Sequence, residues 1–185
     1  MFHIKISSRI KDHCENQIRE FNFAQRGKMD GTKEQQLVGI IGQSAIQDVC
    51  GLPLVDGSTG FDGGEDMKIG NYICDIKTMG RTVPVKPSYV NNFVGLQKSY
   101  NTDIYIFASL NKTNYILTVC GWIPKGEFFQ KASHFEKGDK RTRADGKEIE
   151  LDEELYEIEN KKLRIVINPD HLMNQIYMGW KPKYF

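Results

Sequence analysis

The residues best suited to chemistry in this sequence are two aspartates and a lysine that lie around one turn signal. Asp66 precedes the dipeptide Gly70-Asn71, and Asp75 and Lys77 follow it. Gly-Asn between two apolar runs is typical of a two-residue hairpin turn, whose favoured forms need positive φ. Counting outward from the turn places Asp66 opposite Asp75, and side-chain alternation places Lys77 on the same face.

The two faces of this predicted hairpin differ in chemistry. One face carries the mostly apolar side chains Met67, Ile69, Tyr72, Cys74 and Ile76. On the other face the β-carbons of Asp66 and Asp75 would lie about 5 Å apart, where like charges destabilise strand pairing. A divalent cation between the carboxylates would remove this repulsion, and hard oxygen ligands favour Mg²⁺. The alternative is a surface hairpin in which Lys68 and Lys77 neutralise the two aspartates and contribute little stability.

An aspartate pair across a hairpin, followed by Asp-x-Lys, resembles the active-site hairpin of the PD-(D/E)XK nuclease superfamily. The (D/E)-x-K spacing alone is unspecific, since it occurs at Asp66–Lys68, Asp75–Lys77, Asp145–Lys147 and Glu159–Lys161. Only the second example lies in an apolar strand with an acid registered across the hairpin. The resemblance implies that Asp66 and Asp75 bind Mg²⁺, for which Mn²⁺ can substitute. It also implies that the backbone carbonyl of Ile76 is a further metal ligand and that Lys77 is the catalytic lysine.

Residues 33–50 carry the strongest helix signal in the chain. Gly39 and Gly42 inside this helix each cost about 1 kcal/mol relative to alanine, so another element is expected to approach that side closely. Nucleases of this superfamily often have a GxxGE segment here, whose glutamate completes the metal site. This chain has Gln43 at the matching position, and its amide offers a carbonyl oxygen without negative charge. Glu34, earlier on the same helix, is the alternative ligand.

Cationic side chains near this site are candidates for contact with nucleic acid. The formal net charge of +1 gives no global positive field, so such a surface has to come from local clusters. The candidates are Arg81 and Lys86 in an irregular segment, Lys98 on a helix predicted over residues 88–100, and Lys140, Arg141 and Arg143 in the basic stretch 134–148. The alternative for this stretch is a solvated loop without a binding role.

Length and pattern predict one α/β domain with a central mixed β-sheet flanked by helices. The chain has 185 residues, of which 39% are hydrophobic, enough for one well-buried core. The resemblance implies a restriction-endonuclease-like core over residues 33–185, with residues 1–32 as an N-terminal strand and helix extension. Four isolated cysteines without metal-ligand spacing indicate reduced thiols in a cytoplasmic protein. No apolar run approaches the ~20 residues of a membrane span, so no membrane association is expected.

Together with the resemblance, these features predict a Mg²⁺-dependent DNA endonuclease of the PD-(D/E)XK type. We expect a bacterial or phage-encoded protein, and a homodimer is one oligomeric state that fits this prediction. Gln43 in place of a carboxylate favours a different hypothesis, a catalytically weak or inactive DNA-binding protein with a nuclease fold. A nuclease that acts on RNA is a third hypothesis. The sequence does not choose a DNA structure or a recognition sequence.

Overall fold

The fold is described by a computed structural model over residues 1–23, 30–60, 63–142 and 146–179. In chain order its elements are β1 (Phe2–Lys5), α1 (Ser8–Glu20), α2 (Lys33–Val49), β2 (Met67–Ile69), β3 (Tyr72–Arg81), β4 (Val90–Val94), β5 (Ile104–Asn111), β6 (Ile116–Pro124), α3 (Lys125–Lys131), β7 (Ser133–Phe135), β8 (Lys140–Thr142), β9 (Glu148–Glu150), β10 (Leu155–Glu159) and α4 (Pro169–Gly179). Short 3₁₀ turns cover Gly57–Thr59, Gly95–Ser99 and Asn160–Lys162.

The main sheet has the strand order β1-β6-β5-β3-β2. Strands β3 and β5 are parallel, and the other neighbours in this sheet are antiparallel. A smaller sheet has the order β4-β10-β7, and β8 and β9 form a separate hairpin. The predicted class is therefore confirmed as mixed α/β, with a mixed sheet flanked by helices. Residues 1–32, predicted as an extension, supply the edge strand β1, and α1 packs against α2.

The two faces of the main sheet bury different kinds of side chain. Along β5, Ile104 and Ile106 face an aliphatic core shared with α1, α2 and α4. The alternate residues Tyr105 and Phe107 face an aromatic core shared with α3 and the smaller sheet. This alternation fixes the register of β5, because a slip by one residue would exchange the two sets of side chains.

The segment predicted as a helix over residues 88–100 is instead strand β4 followed by the 3₁₀ turn, so this prediction is wrong. Asn91 and Phe93 are buried while Asn92 is exposed, which is the two-residue period of a strand. The partner of β4 is β10, more than sixty residues later in the chain. Local sequence does not reveal such a distant partner, and Lys98 consequently lies at the end of a 3₁₀ turn.

Helix α2 has well-defined ends that the sequence encodes. The Thr32 side chain accepts a hydrogen bond from the Gln35 amide, and the Gln35 side chain accepts one from the Thr32 amide, which is a capping box. Gly51 follows the helix with a φ of 72°, the left-handed conformation common after a C-cap. None of the described helices is long and apolar enough to cross a membrane.

Candidate active site

The predicted hairpin is present, with its turn at Gly70-Asn71. Met67 pairs with Cys74 and Ile69 with Tyr72, as counted from the sequence. Gly70 has a φ of 61°, whereas Asn71 does not have positive φ, so glycine is needed only at the first turn position. A β-carbon on Gly70 would also lie 2.8 Å from the Tyr177 ring.

The regular strand pairing ends before it reaches Asp66, which corrects the predicted pairing of Asp66 with Asp75. The Asp66 amide donates to the Cys74 carbonyl (3.1 Å), and the Asp66 carboxylate oxygen Oδ2 accepts from the Ile76 amide (2.6 Å). Asp66 therefore lies along the edge of β3. Because the N–H and C=O of one strand residue point the same way, the Ile76 carbonyl is directed to this edge as well.

Asp75 and Lys77 form a largely buried ion pair on one face of β3. Lys77 Nζ lies 2.7 Å from Asp75 Oδ1, with side-chain exposures of 18% and 2% respectively. The Lys77 ammonium is also 5.8 Å from the centre of the Phe93 ring. Lys68 pairs with Glu65 (2.6 Å) rather than with Asp66. The surface-hairpin alternative expected the pair of Lys77 with Asp75, and this pair is present but largely buried, whereas Lys68 pairs with a different carboxylate from the one expected.

The carboxylates create a negative potential that the neighbouring buried groups experience. Burial raises the pKa of the Cys74 thiol, and the charges of Asp103, Asp66 and Asp75 raise it further. Burial likewise raises the pKa of the Tyr105 phenol, with a contribution from Asp75. The Cys74 thiol therefore lies within the electrostatic influence of Asp66 and Asp75, and the Tyr105 phenol within that of Asp75.

Helix α2 contacts the same edge through two glutamines. Gln47 Nε2 donates to the Asp66 carbonyl at 2.7 Å, and Gln43 Nε2 makes a longer contact to it at 3.4 Å. Both side chains thus hold the main chain of Asp66. Sequence reasoning missed Gln47, although its spacing of four residues from Gln43 puts both amides on one helix face.

One glycine in α2 permits the helix to lie this close to β3. A β-carbon on Gly42 would lie 2.0 Å from Thr78 Oγ1, which confirms the expected close approach at this glycine. A β-carbon on Gly39 would have no described atom within 4 Å, so this glycine does not meet the expectation. Gly39 lies on the wall of an open cleft instead.

The candidate catalytic and metal-binding residues line one cleft of about 1360 Å³. Its wall includes Gln43, Gln47, Asp66, Asp75, Ile76 and Lys77. Residues from both faces of β3 contribute, because β2 ends its pairing at Cys74 and leaves the edge of residues 75–81 uncovered by β2. Asp66, the buried Asp75 and the partly buried Lys77 therefore all line this cleft along the edge of β3.

Glu34 lies in the same cleft but at a distance from this edge. It is nine residues before Gln43 in α2, which corresponds to about 13 Å along the helix axis. Glu34 pairs with Lys112 (2.7 Å), and the hydrogen bond from that lysine lowers the pKa of Glu34. This geometry separates Glu34 from the ion that Asp66 would bind.

The described wall of the cleft has an excess of negative charge. It carries six carboxylates and three lysines, a formal charge of −3. Each lysine forms an ion pair within the cleft: Lys68 with Glu65, Lys77 with Asp75 and Lys112 with Glu34. A phosphodiester could approach this surface only with cations that offset the charge.

The described cations among those predicted to contact DNA do not line the cleft. Arg81 donates to the Val90 carbonyl (2.6 Å) and stacks on Tyr89. The other described cations also have neighbours: Lys86 lies 6.0 Å from the Tyr89 ring, Lys98 donates to Tyr156 (3.2 Å), Lys140 pairs with Glu148 (3.1 Å) and Arg141 pairs with the buried Glu157 (2.7 Å). Arg143 lies outside the described residues.

Comparisons with protein families, curated proteins and solved structures find no match to this chain. Within the described ranges, no group of three or more His, Cys, Asp or Glu side chains is arranged to hold a metal ion. The oxygen donors at the edge of β3 are two carboxylates, a backbone carbonyl and amide oxygens. Such donors suit a hard divalent cation such as Mg²⁺, which keeps several of its waters in protein sites.

Proposed function

We propose that the cleft is the active site of a Mg²⁺-dependent nuclease that hydrolyses phosphodiester bonds in DNA. The observation that carries the proposal is that Asp66 and the Asp75–Lys77 ion pair line one cleft along the edge of β3. Lys77 compensates the charge of the Asp75 carboxylate, which is 2% exposed, and Asp66 adds a second carboxylate to the same cleft wall. This placement has a purpose if the two carboxylates bind a cation.

Asp66, Asp75 and the Ile76 carbonyl would hold the cation. All three provide hard oxygens, and the formal charge of −3 on the described cleft wall would be offset by divalent ions. A bound Mg²⁺ lowers the pKa of a coordinated water and offsets charge on the phosphate oxygens. The Ile76 amide holds the Asp66 carboxylate through a 2.6 Å hydrogen bond, so the carboxylate is oriented before a cation arrives.

Lys77 would act on the attacking water. Its ammonium is held 2.7 Å from Asp75 Oδ1, so the charge stays at the edge of the cleft. From there it positions the water and stabilises the anionic form in which water attacks. The attacking water would give up one proton to solvent as its oxygen bonds to phosphorus, and the bond to the departing 3′ oxygen would break as that oxygen takes up a proton from solvent.

The same proposal assigns α2, β2, β3 and β5 to a restriction-endonuclease-like core. The core of the nuclease superfamily has the pattern αβββαβ. Three parts of that pattern agree with this assignment: the helix α2, the hairpin β2–β3 and the strand β5, which is parallel to β3. The connection from β3 to β5, all of it within the described residues, carries β4 and a 3₁₀ turn where that pattern has a helix. The topology thus supports part of the core.

A non-catalytic DNA-binding protein with this fold is the second candidate. The observation that favours it is the use of the Gln43 and Gln47 amides as donors to the Asp66 carbonyl, where related sites use a carboxylate. Fewer negative ligands weaken metal binding. Under this hypothesis the protein retains DNA without cutting it.

Cleavage of plasmid DNA with Mg²⁺ or Mn²⁺ tests the proposal. We expect metal-dependent cutting by the wild type and a loss of at least about 100-fold in rate for Asp75→Asn. Asp103→Asn is the matched control, because Asp103 also bonds to β3, through the Ile73 amide at 2.8 Å, but does not line the cleft. A parallel assay on RNA identifies an RNA-directed enzyme.

The outcomes separate the hypotheses. DNA retention without cutting by the wild type would replace the nuclease with the DNA-binding protein. Equal cutting by the wild type and by Asp75→Asn would show that the activity arises elsewhere. Equal losses in Asp75→Asn and Asp103→Asn would indicate general damage to β3 rather than removal of a metal ligand.

A further inference from the structure

Gln47 is the most deeply buried polar side chain that α2 contributes to the cleft edge. It is 8% exposed, and its amide nitrogen donates to the Asp66 carbonyl at 2.7 Å. Only the nitrogen of an amide can donate a hydrogen bond, so this contact fixes which end of the side chain is nitrogen and which is oxygen.

The oxygen of the Gln47 amide has no hydrogen-bond partner among the described residues. This atom, Oε1, is also buried. A buried amide oxygen without a donor costs free energy, so such groups call for a ligand, a water or an ion. Gln47 lines the cleft that Asp66 and Asp75 also line, so a cation bound there with its waters would be a candidate partner for this oxygen.

We propose that Gln47 is a positioning residue of the cation site. Its nitrogen fixes the main chain of Asp66, whose carboxylate is fixed in turn by the Ile76 amide. Its oxygen faces the bound divalent cation and the waters of that cation. The inference rests on the proposed function and deepens it, because it names a neutral amide as part of the cation site.

Two contacts connect helix α2 to the proposed cation site. Gly42 lets α2 contact Thr78 of β3, and five residues later in the helix Gln47 reaches Asp66. Gln43 makes only the longer 3.4 Å contact to the same carbonyl. Gln47, rather than the residue at the family-type position, is therefore the main link between α2 and the cation site.

Mn²⁺ binding by calorimetry, without any substrate, tests this inference. We compare the wild type with Gln47→Met, which keeps the length of the side chain and removes both polar atoms. Gln175→Met is the matched control, since the Gln175 amide oxygen accepts a 2.7 Å hydrogen bond from the Trp122 indole N–H outside the cleft, and the substitution removes this bond. Thermal unfolding with and without Mn²⁺ separates fold stability from binding, because only the metal-induced rise in Tm depends on Kd.

We expect the Kd for Mn²⁺ to rise at least about tenfold in Gln47→Met and to be unchanged in Gln175→Met. Gln47→Asn, which is one methylene shorter and cannot reach both groups, should also bind more weakly and covers the case that Gln47→Met does not fold. Wild-type affinity in both Gln47 variants, with binding lost in Asp75→Asn, would overturn the inference and leave the proposed function intact. A wild type that binds no Mn²⁺ would overturn both.

Discussion

The close contact between α2 and β3 at Gly42 allows a sharp prediction about stability. An added β-carbon at this position would lie 2.0 Å from Thr78 Oγ1 and 2.8 Å from both Cβ and Cγ2 of Thr78. Normal contacts between carbon atoms are about 3.5–4.0 Å. Rotation of the Thr78 side chain moves Oγ1 and Cγ2 but leaves Cβ in place, so α2 itself has to move away from β3.

Gly39→Ala in the same helix is the matched control for Gly42→Ala. Both variants gain the same intrinsic helix preference of about 1 kcal/mol, and no described atom lies within 4 Å of the added carbon at Gly39. The difference between the variants therefore isolates the cost of overpacking, which is typically about 1–3 kcal/mol. We expect Gly39→Ala to be as stable as the wild type or more stable, and Gly42→Ala to be about 1–3 kcal/mol less stable than Gly39→Ala.

Equilibrium unfolding in urea measures this difference, provided that the m-values agree among the variants. Thr78→Ala removes two of the three close atoms, so in its background the penalty for Gly42→Ala should shrink. Equal stability of Gly39→Ala and Gly42→Ala would refute the close packing of α2 on β3. The positions of Gln43 and Gln47 at the cleft edge would then be in doubt as well.

Three further predictions concern groups outside the cleft. The hydrogen bond from Tyr156 holds the pKa of Glu154 below its usual value. The ionised carboxylate therefore stabilises the fold at pH values above the unfolded-state pKa of about 4.5. This contribution is lost as the pH falls through the lower folded-state pKa. In urea, Glu154→Gln should therefore be less stable than the wild type at pH 7, and the difference should shrink as the pH falls below about 4.5; a difference that does not depend on pH would contradict this assignment. Burial, with a contribution from Asp170, raises the pKa of the Cys50 thiol to about 11, so little of it is the reactive thiolate at pH 8. Ellman's reagent should therefore react slowly with the native protein at pH 8 and promptly with all four thiols in urea at the same pH. Arg81→Gln removes the 2.6 Å hydrogen bond to the Val90 carbonyl and should cost about 1 kcal/mol in urea unfolding without changing DNA affinity; a selective loss of DNA affinity would instead assign Arg81 to the DNA surface.

The features that the sequence predicted well are those encoded by neighbouring residues. The Gly70-Asn71 turn and the register Met67–Cys74 follow from local turn chemistry and alternation. The close approach at Gly42 follows from the cost of glycine in a helix. Each of these depends on residues within a few positions of one another, so a single sequence carries the signal.

The features that were missed depend on distant or irregular contacts. Strand β4 pairs with β10, and this long-range partner overrides the helical pattern of residues 88–100. Asp66 leaves the regular pairing with β3 because its own carboxylate, rather than a backbone carbonyl, accepts from the Ile76 amide. The role of Gln47 depends on how α2 packs across the sheet edge, which periodicity alone does not specify.

The most direct test of the cation site is a crystal soaked in Mn²⁺ and measured for anomalous scattering. We predict a peak at the edge of β3, about 2.1 Å from carboxylate oxygens of Asp66 and Asp75, with the Gln47 amide oxygen turned towards it. A soaked crystal with no ion at this edge, or with the ion bound only elsewhere, would contradict the claim that these aspartates form a cation site.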